Sequence, residues 1–258
     1  MSHLQGADLV GMSTVPETIR AKSLGMRVPG LSGENAMENP TFTVYFAGEL
    51  FDHKDLIGNA LLASYIEETS GGTYKCVLPQ NLQQTESTAL DIRNQDLKKL
   101  IGCDLGLFNF EGTEIDSGTV VEFMVAKFLD IPSVILRSDF RSAGEKSLES
   151  DDWNLMCSFY PRTQVVQFDA MAFYQEAVAQ TTSLKDATDK LYGKVAAMII
   201  DGLNAVRNMA PVLKGDRTQI ETLYRWIVTF PGGGLDTLFS EPSCIERIVT
   251  DKIRKKLV

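Results

Sequence analysis

The stretch DLGLFNFEGTEIDSGTVVEFMVAKFLDIPSVIL, residues 104–136, reads as strand, helix, strand. Residues 104–110 are strand-like. Asp116, Ser117 and Gly118 form a cap and leading turn, and from Thr119 to Leu129 nearly every residue is apolar except Glu122 and Lys127. Residues 133–136 supply the next strand. Glu122 therefore falls in the first turns of a helix that the pattern predicts to be buried on most sides. Among Val120, Val121, Phe123, Met124 and Val125 a carboxylate loses hydration, which raises its pKa, while the positive helix end pulls it back. The expected result is a dry but ionised carboxylate, suited to attack a carbon with developing positive charge, such as the anomeric carbon of a sugar. The residues leave a second reading open, in which Glu122 faces solvent on the polar edge of an ordinary amphipathic helix.

The alternation continues on both sides. Residues 41–47, TFTVYFA, predict a strand that ends at Gly48, where the backbone turns closely past a ligand or a helix. Residues 55–68 have helical spacing through Leu56, Ala60, Leu61 and Tyr65, and stop at Gly71-Gly72. Residues 74–78 are a strand, 88–101 a helix with Ile92, Leu97, Leu100 and Ile101 inward, and 164–168 a fifth strand. Strand and helix alternate with short joints, which predicts right-handed crossovers and a doubly wound, Rossmann- or flavodoxin-like α/β fold with a five-stranded parallel sheet. Ligands of such sheets sit beyond the carboxyl ends of the strands. Tyr45, Gly48, Gln80 and residues 111–116 fall on that rim, and the fold must bring in Asp96 from the preceding helix.

Three regions follow: an arm and polar linker (1–40), the α/β domain (41–169) and a helical extension (170–258). The extension carries apolar stripes at Leu191, Val195, Met198, Ile199 and Leu203, around Leu223, Trp226 and Ile227, and at Ile245, Ile248 and Ile253, which read as core or interface. Residues 138–160 make a long polar joint ending in Trp153-Asn154-Leu155-Met156, a candidate lid or subunit contact.

Composition narrows the function. With 258 residues, 44% of them hydrophobic, the chain can bury a sizeable core. Its formal net charge of -9 argues against non-specific grip on nucleic acid or anionic membrane, both of which need a basic field. Small ligands or protein partners are expected. Four cysteines without a CxxC pair and two histidines, His3 and His53, make a zinc site improbable and suit a reducing compartment. No apolar run approaches the roughly 18 residues of a membrane span, and residues 1–30 lack the apolar core of a secretory signal, so a cytoplasmic location is expected.

Four blocks, VYFAGELF (44–51), ALDIRNQDLKKLIGCD (89–104), DSGTVVEFMVAKFL (116–129) and LRSDFR through WNLM (136–156), together resemble the nucleoside 2-deoxyribosyltransferases in order, spacing and chemistry. The resemblance spans about residues 41–168. It implies that Glu122 is the nucleophile, that Tyr45 orients it, that Asp96 and Asp116 contact the substrate and that Asn154, with Met156 beside it, reaches the sugar's 5'-hydroxyl of a neighbouring subunit. Gly48, Gln80 and Gly118 join the implied substrate-binding set. No metal or cofactor is implied; the partners are deoxynucleosides, free bases and further copies of the chain. The family usually has a glycine where this chain has Phe123-Met124, and this chain runs on well past the fifth strand. A hydrolase of deoxynucleosides or their monophosphates is the alternative, for which Arg137 and Arg141 are the candidate phosphate readers; a non-catalytic nucleoside-binding protein is the other, against which the full carboxylate set speaks.

Residues 6–32 resemble a fragment of the purine nucleoside phosphorylases, with GMSTVPE at 11–17 and a GxRVxGLS run behind it. Met12 corresponds to a methionine lining that family's nucleoside pocket. The phosphate-binding loops are absent, so the expectation is a structural arm without phosphorolysis.

Overall fold

The computed structural model describes residues 40–82, 88–141, 153–241 and 243–258. The phosphorylase-like arm with Met12, and the middle of the 138–160 joint, lie outside them. Five parallel strands, β1 (Phe42–Ala47), β2 (Tyr74–Val77), β3 (Leu105–Asn109), β4 (Ser133–Arg137) and β5 (Thr163–Gln167), pair in the order β2-β1-β3-β4-β5. Strand periodicity makes β1 two-faced: Phe42, Val44 and Phe46 enter one core, Tyr45 and Ala47 the other.

The described helices are α1 (His53–Thr69), α2 (Ala89–Gly102), α3 (Ser117–Phe128), α4 (Ala170–Ala179), α5 (Leu184–Arg207), α6 (Arg217–Thr229) and α7 (Ser243–Arg254). None of them is long and apolar enough to cross a membrane. Local chemistry sets their starts. Asp52 accepts from the backbone N–H groups of Lys54 and Asp55, so α1 begins two residues before the apolar spacing suggests. Thr88 and Asp91 close a capping box on α2, and Asp116 caps α3. Gly71 and Gly72 turn the chain out of α1 at φ of 60° and 79°, a region that side chains resist.

Helices cover both faces of the sheet. On one, Leu62, Ala63 and Ile66 of α1 meet Val195, Ile199 and Leu203 of α5. On the other, Leu97, Leu100 and Ile101 of α2 and Phe123 and Ala126 of α3 meet Ile220, Tyr224 and Ile227 of α6 and Ile245 and Val249 of α7. Most of the apolar stripes after residue 170 are thus core, contributed to both faces, while Trp226 and Ile253 are exposed. Pro40–Val258 forms one compact unit. Buried ion pairs fasten the late helices to the sheet's amino edge. Asp130 pairs with Arg162 at 3.0 Å and accepts from the N–H groups of Val212 and Leu213. Lys255 pairs with Asp104 at 2.6 Å, and buried Lys252 donates to the Cys103 carbonyl.

Candidate active site

The strand order reverses between β1 and β3, and a doubly wound sheet opens its ligand crevice at that point. Tyr45 comes up from β1 on the α3 side. Asp116 and Glu122 come from the loop and helix behind β3, and Asp96 from α2 in front of it. The Asp116 carboxylate accepts from Thr119 N at 2.7 Å and Thr119 Oγ1 at 3.0 Å, so it anchors the first turn of α3. One turn further on, Phe123 sits edge-on to Phe108, Phe110 and Tyr160, at centroid distances of 5.2, 5.4 and 5.5 Å. Those contacts hold the helix in rotation and present Glu122 to the crevice. Lys127, the other charged residue of this helix, donates to the carbonyls of Pro161 and Arg162 and to Thr163 Oγ1, tying α3 to the start of β5.

Tyr45 is fully buried, and its hydroxyl donates to Glu122 Oε1 at 2.6 Å. Burial pushes the Glu122 carboxyl up to about 7; the Tyr45 hydrogen bond works against that rise, and the charges of Asp96 and Asp116 add to it. This corrects the expectation of a carboxylate kept ionised by the helix dipole. That field fades within the first turn, and Glu122 lies beyond it. Burial also takes Asp96 up to about 6, and its Oδ1 is buried without a hydrogen-bond partner among the described residues. The Tyr45 phenol is driven well above its ordinary range, first by burial and then by the Glu122 charge. Tyr45, Glu122, Asp96 and Asp116 thus form one electrostatically connected group.

A second correction concerns the helix itself. Only Thr119, Phe123 and Ala126 of α3 are buried, while Val121 and Phe128 are 57% and 56% exposed. The apolar run reads as a buried helix, yet one of its stripes faces away from the core.

The other expected residues divide. Gly48 passes so close to β3 that a Cβ there would stand 2.9 Å from Asn109 Cβ, and a Cβ on Gly118 would stand 3.0 Å from Asp116 Oδ2. Gln80 lies beyond β2 as expected, where its amide donates to the Leu56 carbonyl at 2.7 Å. Asn154 is exposed, and its side-chain oxygen caps the turn at Leu155–Cys157 by accepting from Met156 N, while Met156 is 74% exposed. Within one chain neither residue has a hydrogen bond to the carboxylate group. The two candidate phosphate readers are engaged elsewhere. Arg137 is fully buried and donates to the carbonyls of Phe110 and Arg141, and Arg141 pairs with Asp139. Glu111 has a role the sequence reading leaves unassigned: its two oxygens accept from Ser138 N and Asp139 N, at 2.7 and 2.8 Å, and fix the start of the 138–160 joint. The run of apolar residues before Arg137 was a signal of its burial.

The sequence profile of the nucleoside 2-deoxyribosyltransferase family matches residues 44–184, more than half of the chain, and the chain belongs to that family. Similar solved structures include those of two proteins. A conserved protein from Enterococcus faecalis V583 is 24% identical with a TM-score of 0.42, over 60% of this chain and 99% of that one. A 2-desoxiribosyltransferase from Leishmania mexicana is 22% identical with a TM-score of 0.39, over 48% of this chain and 90% of that one. No curated protein matches the sequence.

Proposed function

We propose that the chain exchanges the base of a 2'-deoxynucleoside through a covalent deoxyribosyl ester on Glu122. The observation that carries this reading is a largely desolvated carboxylate, oriented by a phenol, beside a second carboxyl whose pKa burial raises to about 6. Ionised Glu122 attacks the anomeric carbon while the glycosidic C–N bond breaks, and the departing base takes a proton from Asp96. An incoming base then displaces the ester from the face the first base left, its proton returns to Asp96, and two displacements retain the configuration. Asp96 suits the acid role better than Asp116, because Asp116 spends an oxygen on the start of α3 while Asp96 Oδ1 has no partner.

Transfer is favoured over hydrolysis by the apolar surroundings of the ester, Phe123 and Met124, which limit water. An uncharged 5'-end is favoured because Arg137 is enclosed, Arg141 is paired, and a neutral Asn154 offers no charge to a phosphate. Asn154 would complete the site of a neighbouring copy. Support for an assembly comes from the apolar side chains that the site's elements leave exposed in one chain: Val121, Phe128, Leu155, Met156 and Phe159.

The test is to incubate the protein with a deoxynucleoside, and separately with its monophosphate, each with and without free adenine, and to separate the products. Deoxyadenosine formed from the nucleoside is the expected result. Faster cleavage of the monophosphate, with no exchanged product, would move the assignment to a hydrolase.

A further inference from the structure

A second cleft opens on the opposite face of the sheet, between α1, α5 and the carboxyl ends of β3 and β4, with a volume of about 270 Å³. Tyr45, Asp96, Asp116 and Glu122 do not line it. Its apolar walls are Leu62, Leu136, Val195 and Phe168, and its polar groups are Asn59, Asn109 and Ser138. The Asn109 side-chain oxygen is buried with no hydrogen-bond partner among the described residues. Amides and a hydroxyl set among apolar walls that include the Phe168 ring match a heterocycle that carries both donors and acceptors.

Charge disfavours anionic ligands. Of the charged residues at the cleft, Lys54 pairs with Asp52, Glu111 has both oxygens occupied by backbone N–H groups, and Asp55 repels anions. Among the described residues lining the cleft, the one cation, Lys54, is solvent-exposed and paired with Asp52, so an anion gains little there. The volume falls just below the usual range of ligand pockets, about 300–1,000 Å³, and suits a single base better than a nucleotide.

Gly58 keeps the space open. It lies inside α1, where glycine is less favourable than alanine, and a Cβ there would meet only the Tyr192 hydroxyl, at 3.7 Å. The cleft also touches the loop that leads away from Tyr45. Asn59 donates to the Glu49 carbonyl at 2.9 Å, and Asn109 packs against Gly48.

We propose that this cleft is a second binding site for a free, uncharged nucleobase, set apart from the Glu122 centre and linked to it through the Gly48-Glu49 backbone. The choice of a base as occupant rests on the base-exchange reading; the cleft's geometry does not. The experiment is equilibrium dialysis of the full chain against free adenine, comparing the intact protein with Gly58→Leu, which fills the cleft from an open helical position, and with Asn109→Leu, which removes the amide at similar size. Two adenines per chain are expected for the intact protein and one for Gly58→Leu, with at least tenfold weaker binding at the second site in Asn109→Leu. A single adenine lost in Gly58→Leu would uphold the cleft while removing free base from the catalytic centre. No adenine bound, or a stoichiometry unchanged by Gly58→Leu, would overturn the proposal.

Discussion

The Tyr45 hydroxyl and Glu122 Oε1 lie 2.6 Å apart across 77 positions of sequence, joining the first strand to the helix behind the third. This bond is the one stabilising influence on a carboxylate that burial and two neighbouring charges push toward its protonated form. With Glu122 near 7 and Asp96 near 6, the pair holds one proton between pH 6 and 7. The productive arrangement, Glu122 ionised and Asp96 protonated, is then the minor one.

Removing the hydroxyl in Tyr45→Phe takes away a contact that lowers the Glu122 pKa, so that pKa rises. The productive arrangement becomes rarer still. Base exchange should fall about 10- to 100-fold, the effect of one hydrogen bond to a charged group, and the alkaline limb of the kcat/KM profile should move to higher pH. An unchanged profile would mean that the bond does not tune Glu122.

Glu122→Gln should abolish exchange, since an amide does not form the glycosyl ester. Its effect on stability has a definite sign. Glu122 titrates near 7 in the fold against an ordinary 4.5, so its protonated form favours folding below pH 4.5, and that contribution is lost as pH rises through 7. The variant should therefore unfold at a higher temperature than the intact protein at pH 8, by the equivalent of roughly 1–3 kcal/mol, with the gap closing below pH 4.5. Thermal scans at the two pH values decide it.

Asp96→Asn tests the acid. Substrates whose base needs a proton to leave should slow by about 10²- to 10⁴-fold, while a deoxyriboside with a nitrophenolate leaving group should slow far less. The bell-shaped profile should become a single rise governed by Glu122. Equal losses on both substrates would assign Asp96 to binding alone.

Mixing Glu122→Ala with Asn154→Ala, each inactive or nearly so, should restore part of the exchange activity if one copy's Asn154 serves another's Glu122. Two variants that stay inactive after unfolding and refolding together, with subunit exchange verified, would confine each site to one chain.

Asp130→Ala should destabilise the fold by about 3–5 kcal/mol, because it leaves the Arg162 guanidinium buried without its counter-charge. It also frees the Val212 and Leu213 N–H groups that fasten the link between α5 and α6. Denaturant unfolding is the measurement, and a loss below about 1 kcal/mol would assign the pair no more than a surface bridge contributes.

What the sequence determined by itself was local or periodic. Two-residue alternation marks β1, Asp116 marks the start of α3, Gly71-Gly72 marks the end of α1, and the order of strands and helices dictates a parallel sheet with its rim at the strands' carboxyl ends. Tertiary structure decided whatever depends on residues distant in the chain. It set the protonation of Glu122, because desolvation and the charges of Asp96 and Asp116 act only once α2, α3 and β1 are packed together. It enclosed Arg137, which as a sequence symbol was equally fit to read a phosphate. It also turned most of the stripes after residue 170 into core on both faces of the sheet while leaving Trp226 and Ile253 exposed, since apolar periodicity states that a helix face will be buried and leaves open what will bury it.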